Sequence, residues 1–326
     1  MLFISRCWTS RVVCRYRAFI NTSSNGRMAS DVNSKKDGDT GSDCTPVEVS
    51  IDVPWGRICG KAWGSSNGKP VLALHGWLDN SGTFDKLLPL LSPDLYIVAI
   101  DFPGHGLSSP RPAGAYYHFI NMVADVKYVV DALGWKRFSF LSHSMGAGVS
   151  TLFAASLPEY VEKLVLLEGI APLAVDAKEL PSRMGKALNN LKKFQDKATK
   201  VYPSQEACIA RLMEGNNDLT EESARVLSER GTAPVENGYV FTRDLRLKSS
   251  SMLYFSFEVV VSFLKALQCP LFVVRAEISV FPKELMDMLV HAAKGNIVTV
   301  AGNHHVHLNN AAVVAPIVNR ELLGPS

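Results

Sequence analysis

Hydrophobic residues along the chain form short continuous runs, and longer stretches with a helical period separate them. Runs without alternating polar residues are typical of strands that are covered on both faces of a sheet. Residues 47–53 instead alternate apolar and polar positions, and a Pro-Trp-Gly turn joins them to residues 57–63, which predicts a β-hairpin. The continuous runs are 70–74, 95–100, 138–141, 164–167, 271–274 and 297–300.

Helical patterns lie between these strands. Val123, Val126, Val130 and Leu133 share one apolar face, and Gly134 follows them at a favourable C-cap position. Residues 145–157, 285–292 and 311–323 predict three further helices. The alternation of strand and helix predicts an α/β fold with a mostly parallel, doubly wound sheet.

The alternation stops between residues 169 and 268. Helical patterns fill this stretch, for example Leu188, Leu191, Phe194 and Ala198 on one face, and no strand stands out. We predict an inserted helical cap over the carboxyl edge of the sheet. The predicted organisation is a leader and disordered linker at 1–45, the first part of the core at 46–168, the cap at 169–268 and the second part of the core at 269–326.

Composition supports a large core, since 47% of the 326 residues are hydrophobic and 20% are charged. The net charge of +3 comes from the first thirty residues, which hold five arginines and no acid. Without these five, 29 basic residues face 31 acidic ones, so the charge gives no support for nucleic-acid binding, and we expect no nucleic-acid partner. The sequence sets no oligomeric state.

The first thirty residues are rich in arginine, serine and threonine, with scattered hydrophobic residues and no continuous apolar run. This composition predicts a mitochondrial transit peptide; the alternative is an unstructured leader, or a start at Met28, in a cytoplasmic protein. No apolar stretch reaches ~18 residues, so we expect no integral membrane segment.

The six cysteines are isolated, without the spacing of a zinc site or of a disulfide framework. The sequence also lacks the phosphate-binding motif G-x-x-x-x-G-K-[ST] and an early G-x-G-x-x-G. These observations predict a protein that uses no metal and no cofactor.

Residues 142–146, Ser-His-Ser-Met-Gly, lie between a predicted strand and a predicted helix. This context fits the nucleophile elbow G-x-S-x-G, whose tight turn needs small residues on either side of the nucleophile. Ser142 replaces the first glycine, and Ser144 is the predicted nucleophile. The alternative is a surface serine in a tight loop.

Residues 75–79, His-Gly-Trp-Leu-Asp, follow the third predicted strand. In such a sheet this loop supplies one backbone N–H to an oxyanion hole, and the residue after the nucleophile supplies the other. The expected donors are the backbone amides of Trp77 and Met145. We expect His75 to be a structural hydrogen-bonding residue.

A general base should follow the last strand, where His304, His305 and His307 stand close together. We assign His304 as the base and the other two as packing or supporting residues. No carboxylate or cysteine lies nearby in sequence, which argues against a metal cluster. The acid that orients the base is Glu168 or Glu277, and Glu168 is favoured because Ser279 stands where an aspartate is usual.

These stretches resemble the α/β-hydrolase superfamily over residues 47–323, and within it the serine hydrolase-like protein group. The resemblance rests on residues 74–80 (Leu-His-Gly-Trp-Leu-Asp-Asn), 101–108 (Asp-Phe-Pro-Gly-His-Gly-Leu-Ser), 142–148, 243–248 (Arg-Asp-Leu-Arg-Leu-Lys) and 302–304. It implies the α/β-hydrolase fold with a cap. Glu168 looks like the acid position of some dehalogenase relatives.

A serine at position 144 implies an acyl-enzyme, whereas relatives that attack with aspartate form an alkyl-enzyme. We therefore expect a serine hydrolase of carboxylesterase type that cleaves a small or acyl-chain ester, thioester or amide, with no cofactor. One alternative is a catalytically weak or inactive protein that binds a ligand in the capped pocket. Another is a lyase or perhydrolase reaction on the same triad.

Overall fold

The computed structural model describes residues 45–190, 193–194 and 198–324. The predicted leader and linker therefore lie outside the described residues, apart from Thr45. Strands β1 to β10 are Val47–Val53, Gly56–Trp63, Lys69–Leu74, Leu95–Ile100, Phe138–His143, Val161–Leu167, Thr232–Val235, Gly238–Phe241, Leu271–Ile278 and Asn296–Asn303. Helices α1 to α9 are Phe119–Leu133, Met145–Ser156, Leu180–Asn189, Gln205–Gly215, Glu221–Gly231, Phe257–Ala266, Lys283–Ala292, Val306–Asn309 and Ala311–Leu323.

Eight strands form one sheet in the order β1-β2-β4-β3-β5-β6-β9-β10. The hairpin β1–β2 and the pair β2–β4 are antiparallel, and the remaining neighbours are parallel. The prediction of a mostly parallel sheet is confirmed. Helix α1 ends as expected, because Gly134 adopts the left-handed conformation with φ 68°.

The core lies on both faces of the sheet, as the continuous apolar strands require. In β3, Leu72 and Leu74 pack into one hydrophobic cluster, whereas Val71 and Ala73 pack into the other. Side chains alternate across a strand, so a strand buried on both faces needs apolar residues at every position.

The stretch 169–268 contains helices α3 to α6, but the prediction that it holds no strand is wrong. Strands β7 and β8 form an antiparallel hairpin within it, closed by Glu236 and Asn237 and with Gly238 at φ 137°. Each strand has only four residues, and Pro234 interrupts the first, so neither shows a recognisable alternation.

The predicted helical face of Leu188, Leu191, Phe194 and Ala198 is also wrong in its extent. Helix α3 ends at Asn189, Phe194 lies in a turn, and Ala198 has no regular structure, while Leu191 lies outside the described residues. No helix in the described ranges combines the length and the apolar character that crossing a membrane requires.

The cap segment 243–248 fastens this stretch to the core. The Arg246 guanidinium donates to the carbonyl oxygens of Arg111, Pro112 and Ala115, at 2.5 to 3.1 Å. Asp244 accepts hydrogen bonds from Arg246 and from the Tyr117 hydroxyl. The segment therefore holds the cap over the carboxyl ends of the strands.

Candidate active site

Ser144 lies in a strained turn between β5 and α2. Its backbone has φ 51° and ψ −112°, a combination that residues other than glycine rarely adopt. The Ser144 N–H donates to the carbonyl of Leu167, 3.0 Å away, which holds the turn against β6. A side chain at Gly146 would collide with the carbonyl oxygen of Leu74, so the helix side of the turn must be slim. The side chain of Ser142 fits on the strand side, fully buried.

His304 joins the serine to a buried acid. Its Nε2 lies 3.0 Å from the Ser144 Oγ, and its Nδ1 lies 3.0 Å from the Glu168 Oε2. A carboxylate only accepts hydrogen bonds, so Nδ1 carries the proton of the neutral ring and Nε2 has a free lone pair. The Ser144 hydroxyl therefore donates to His304, which is the arrangement that a general base requires.

Glu168 follows β6 and is fully buried, with φ 51°. Its Oε1 accepts from the N–H of Ala276 at 2.6 Å, and its Oε2 accepts from the Ser279 hydroxyl at 2.9 Å. Of the two acids left open by the sequence, Glu168 contacts His304, whereas Glu277 is exposed on β9. Ser279 stands where an aspartate is usual in this fold, and its hydroxyl thus helps to orient Glu168.

The loop after β3 approaches the serine closely. A Cβ at Gly76 would lie 3.3 Å from the Cβ of Ser144, so this position has little room for a side chain. Leu78 has φ 65°, and its N–H donates to the His105 Nε2 at 3.3 Å. Among the described residues, neither the Trp77 amide nor the Met145 amide donates to a backbone carbonyl.

His75 is fully buried and takes no part in the contacts of Ser144. Its Nδ1 donates to the carbonyl of Gly76 at 2.7 Å, and its Nε2 accepts from the N–H of Phe102 at 2.9 Å. Burial lowers the pKa of His75, which keeps the ring neutral and suits these two roles. The ring therefore ties the loop after β3 to the loop after β4.

Asp79 contacts His305, the residue after the base, and sequence reasoning missed this contact because Asp79 lies far away in the chain. The Nε2 of buried His305 lies 3.2 Å from the Asp79 Oδ2. Burial alone would raise the pKa of Asp79, but His305 and His143 hold it well below its ordinary value. Burial opposes charge on His305 as well, yet Asp79 raises the pKa of His305.

His143 links the elbow to the loop of the base. Its Nε2 donates to the carbonyl of His304 at 2.9 Å, and burial lowers its pKa to about 4.

Ligand atoms of Asp79, His143 and His305 lie within 4.8 Å of one another, so these three residues could hold a metal ion. Their ion pair and hydrogen bonds also explain the cluster without one. His307 contacts the Thr83 hydroxyl at 2.9 Å instead.

Above these groups lies a cavity of about 520 Å³ between the core and the cap. Core residues such as Trp77, Ser144 and His304 line its floor, and cap residues such as Tyr202 and Arg243 line its roof. This volume falls in the usual range for small-molecule sites, and the serine opens into it.

Comparisons with known proteins agree with this geometry. Residues 69–200 match the family model described as alpha/beta hydrolase fold. A serine hydrolase-like protein of Danio rerio is 41% identical over 83% of this chain and 86% of that protein. A hypothetical protein of Pseudomonas aeruginosa, solved by crystallography, is 38% identical, has a TM-score of 0.78, and matches 84% of this chain and 97% of its own.

A thioesterase domain from the curacin biosynthetic pathway has a TM-score of 0.74 at 24% identity, over 84% of this chain and 99% of its own, and shares the fold. The high identity to the Danio rerio protein extends over most of both chains. Together with the capped α/β sheet, it shows that the chain belongs to the serine hydrolase-like group of the α/β-hydrolase superfamily.

Proposed function

We propose that this protein is a serine hydrolase that cleaves carboxylic esters, or related thioesters and amides, through an acyl-enzyme on Ser144. The observation that carries the proposal is the hydrogen-bonded series Ser144–His304–Glu168, with 3.0 Å at each step, on the floor of a cavity of about 520 Å³. The serine hydrolase-like name of the relatives supports the same class of reaction.

In the first half of the reaction the Ser144 Oγ attacks the carbonyl carbon while His304 Nε2 takes the hydroxyl proton. Glu168 stabilises the imidazolium that forms, since its Oε2 accepts from Nδ1. Collapse of the tetrahedral intermediate breaks the bond to the leaving group, which receives the proton from Nε2. Water then repeats the sequence on the acyl-enzyme, with His304 as the base, and releases the acid.

The developing oxyanion needs donors that do not have to reorganise. We assign this role to the amide of Met145, which follows Ser144, and to that of Trp77, which lines the same cavity as Ser144. Neither amide has a backbone acceptor among the described residues. Loss of one such donor typically costs about 10²- to 10³-fold in rate. The indole N–H of Trp77 donates to the carbonyl of Leu247 at 3.1 Å, which connects this loop to the cap.

Labelling with a fluorophosphonate probe tests the nucleophile. We expect the wild type to be labelled and Ser144→Ala to remain unlabelled. Ser142→Gly is the matched control, because Ser142 lies two residues before the nucleophile in β5 and this change restores the usual elbow pattern; the variant should still be labelled. Equal labelling of wild type and Ser144→Ala, or no labelling of either, would refute the assignment.

A panel of p-nitrophenyl esters, thioesters and anilides of graded acyl length then tests turnover. Hydrolysis that is lost in both Ser144→Ala and His304→Ala supports the proposal. If the wild type binds these compounds but releases no product, the protein is a ligand-binding member of the group. Product analysis separates hydrolysis from a lyase or perhydrolase reaction.

A further inference from the structure

Arg243 lines the roof of the cavity whose floor carries Ser144 and His304. Strand β8 ends at Phe241, and only Thr242 separates it from Arg243. The Arg243 guanidinium lies 4.1 Å from the ring centre of Phe241. Stacking on an aromatic ring fixes the plane of the guanidinium while leaving its edge available for hydrogen bonds. The side chain is therefore held in position at the cavity wall.

No partner within the described residues neutralises this arginine. Its Nε is shielded from solvent and has no hydrogen-bond partner, and no carboxylate among those residues forms an ion pair with its guanidinium. Arg246, three residues later, differs sharply, because Asp244 and three carbonyl oxygens accept hydrogen bonds from its guanidinium. Arg243 is partly buried, and burial of a cation that has no counter-charge is unfavourable.

The other charges at the cavity do not supply that compensation. Arg211 lies on the surface and pairs with Glu214 at 3.1 Å, and Asp79 pairs with His305. Asp218 lines the cavity too, but like the other carboxylates of the described residues it forms no ion pair with Arg243. Burial lowers the pKa of Arg243, although Tyr202 and Asp79 act in the opposite direction. The cavity thus contains a partly buried guanidinium that has no ion pair within the described residues.

We propose that Arg243 binds an anionic group of the substrate, so that the preferred substrate is an ester or thioester with a negative charge on the part under the cap. This rests on the proposed function. A guanidinium presents parallel N–H donors that match the oxygens of a carboxylate, sulfate or phosphate. The free energy of a hydrogen bond between charged groups corresponds to a preference of about 10- to 100-fold for an anionic substrate over a neutral one of the same shape.

Paired substrates test this proposal. The p-nitrophenyl monoester of glutaric acid and p-nitrophenyl pentanoate share the acyl length and the leaving group, and only the first carries a terminal carboxylate. We expect the wild type to favour the anionic ester by about 10- to 100-fold in kcat/KM. Arg243→Met should bring this ratio close to one, and Arg243→Lys should preserve part of it.

Arg211→Met is the matched control, since it removes a cavity-lining cation that already has a partner, and the ratio should remain within about threefold of the wild type. A wild-type ratio near one, or an unchanged ratio in Arg243→Met, would overturn the proposal. Equal losses on both esters also leave the ratio unchanged and overturn it, because they indicate a structural arginine.

Calorimetry on Ser144→Ala separates this inference from the proposed reaction, because it needs no turnover. Monomethyl glutarate should bind at least tenfold more tightly than dimethyl glutarate, and Arg243→Met in the same background should abolish the difference. A phosphate monoester of similar length, compared in the same assay, distinguishes phosphate from carboxylate as the source of charge. Indifference of all three compounds to Arg243→Met would refute the anion site.

Discussion

Two arginines of the cap lie in contrasting surroundings. Arg230, near the end of α5, has a side chain only 4% exposed, and its Nε donates to the Asp101 Oδ2 at 2.6 Å. Its Nη1 donates to both carboxylate oxygens of Glu48. Burial alone would lower its pKa, but Asp101 and Glu48 raise it. Arg243 shows the opposite balance, with a pKa that burial lowers.

The difference teaches how to interpret a buried charge. Where the chain supplies the counter-charge, as for Arg230, the pair joins the cap to the core and its role is structural. Where the chain supplies none, the fold retains a costly group, and the missing partner belongs to a bound molecule or to a step of a reaction. Four predictions test whether pairing, rather than burial alone, separates these two roles.

The largest effect should come from Glu168, a buried carboxylate whose partner His304 becomes a cation only during the proposed reaction. Glu168→Gln retains the shape of the side chain but removes the charge that stabilises the imidazolium. We expect kcat for ester hydrolysis to fall by about 10³- to 10⁴-fold. Steady-state kinetics with a p-nitrophenyl ester measure the change.

Glu277→Gln is the control, because this exposed glutamate lies on the neighbouring strand and should tolerate the change with kcat within about twofold of wild type. Similar losses in the two variants would contradict the assignment of the acid.

Arg230→Met should cost stability instead of selectivity. It leaves the Asp101 carboxylate, which is fully buried, with backbone N–H donors but without a cation. Removing one partner of a buried pair typically costs about 3–5 kcal/mol of the free energy of unfolding. Urea denaturation measures this loss directly.

Arg243→Met is the matched comparison and should lose much less than Arg230→Met, because it removes an unpaired cation. Adding Asp101→Asn to Arg230→Met should recover part of the loss. Equal destabilisation by the two arginine changes would remove the distinction between them.

Arg246→Met tests the paired arginine that fastens the cap segment 243–248 to the core. The change leaves Asp244 without its cation and three carbonyl oxygens without their donor. Because these groups are only partly buried, water replaces some of the bonds, and we expect a loss of about 1–3 kcal/mol. Limited proteolysis should then cut the cap before the core; a cap as resistant as in the wild type would count against the role of Arg246 in fastening the cap.

Much of the fold was predictable from the sequence because continuous apolar strands and apolar helix faces follow directly from burial on both sides of a sheet. The hairpin β7–β8 was not, since its four-residue strands are partly exposed and too short for a periodic pattern. Ser144, His304 and Glu168 could be singled out because each follows a strand at the same edge of the sheet.

Residues that act through space were missed. Asp79 lies 226 positions from His305, so no local pattern associates them. Arg243 stands beside Asp244 in the sequence and looks like one half of an ion pair, yet Asp244 pairs with Arg246. Only the fold reveals which charge lacks a partner, because pairing depends on the direction of side chains as well as on their spacing.

The smallest effect concerns the buried pair Asp79–His305. Both residues border the cavity, as Arg243 does, but each supplies the counter-charge of the other. The pKa of His305 is raised in the folded protein, so its contribution to stability is complete below ~6.5 and is lost as pH rises through the raised value. The pKa of Asp79 is lowered, so its contribution is present above ~3.8 and is lost as pH falls toward the lowered value. Urea unfolding of wild type and His305→Gln should therefore differ more at pH 6 than at pH 9, by about 1 kcal/mol for each unit of pKa increase. A difference that stays constant, or grows with pH, would show that this pair carries no charge and that pairing does not set its role.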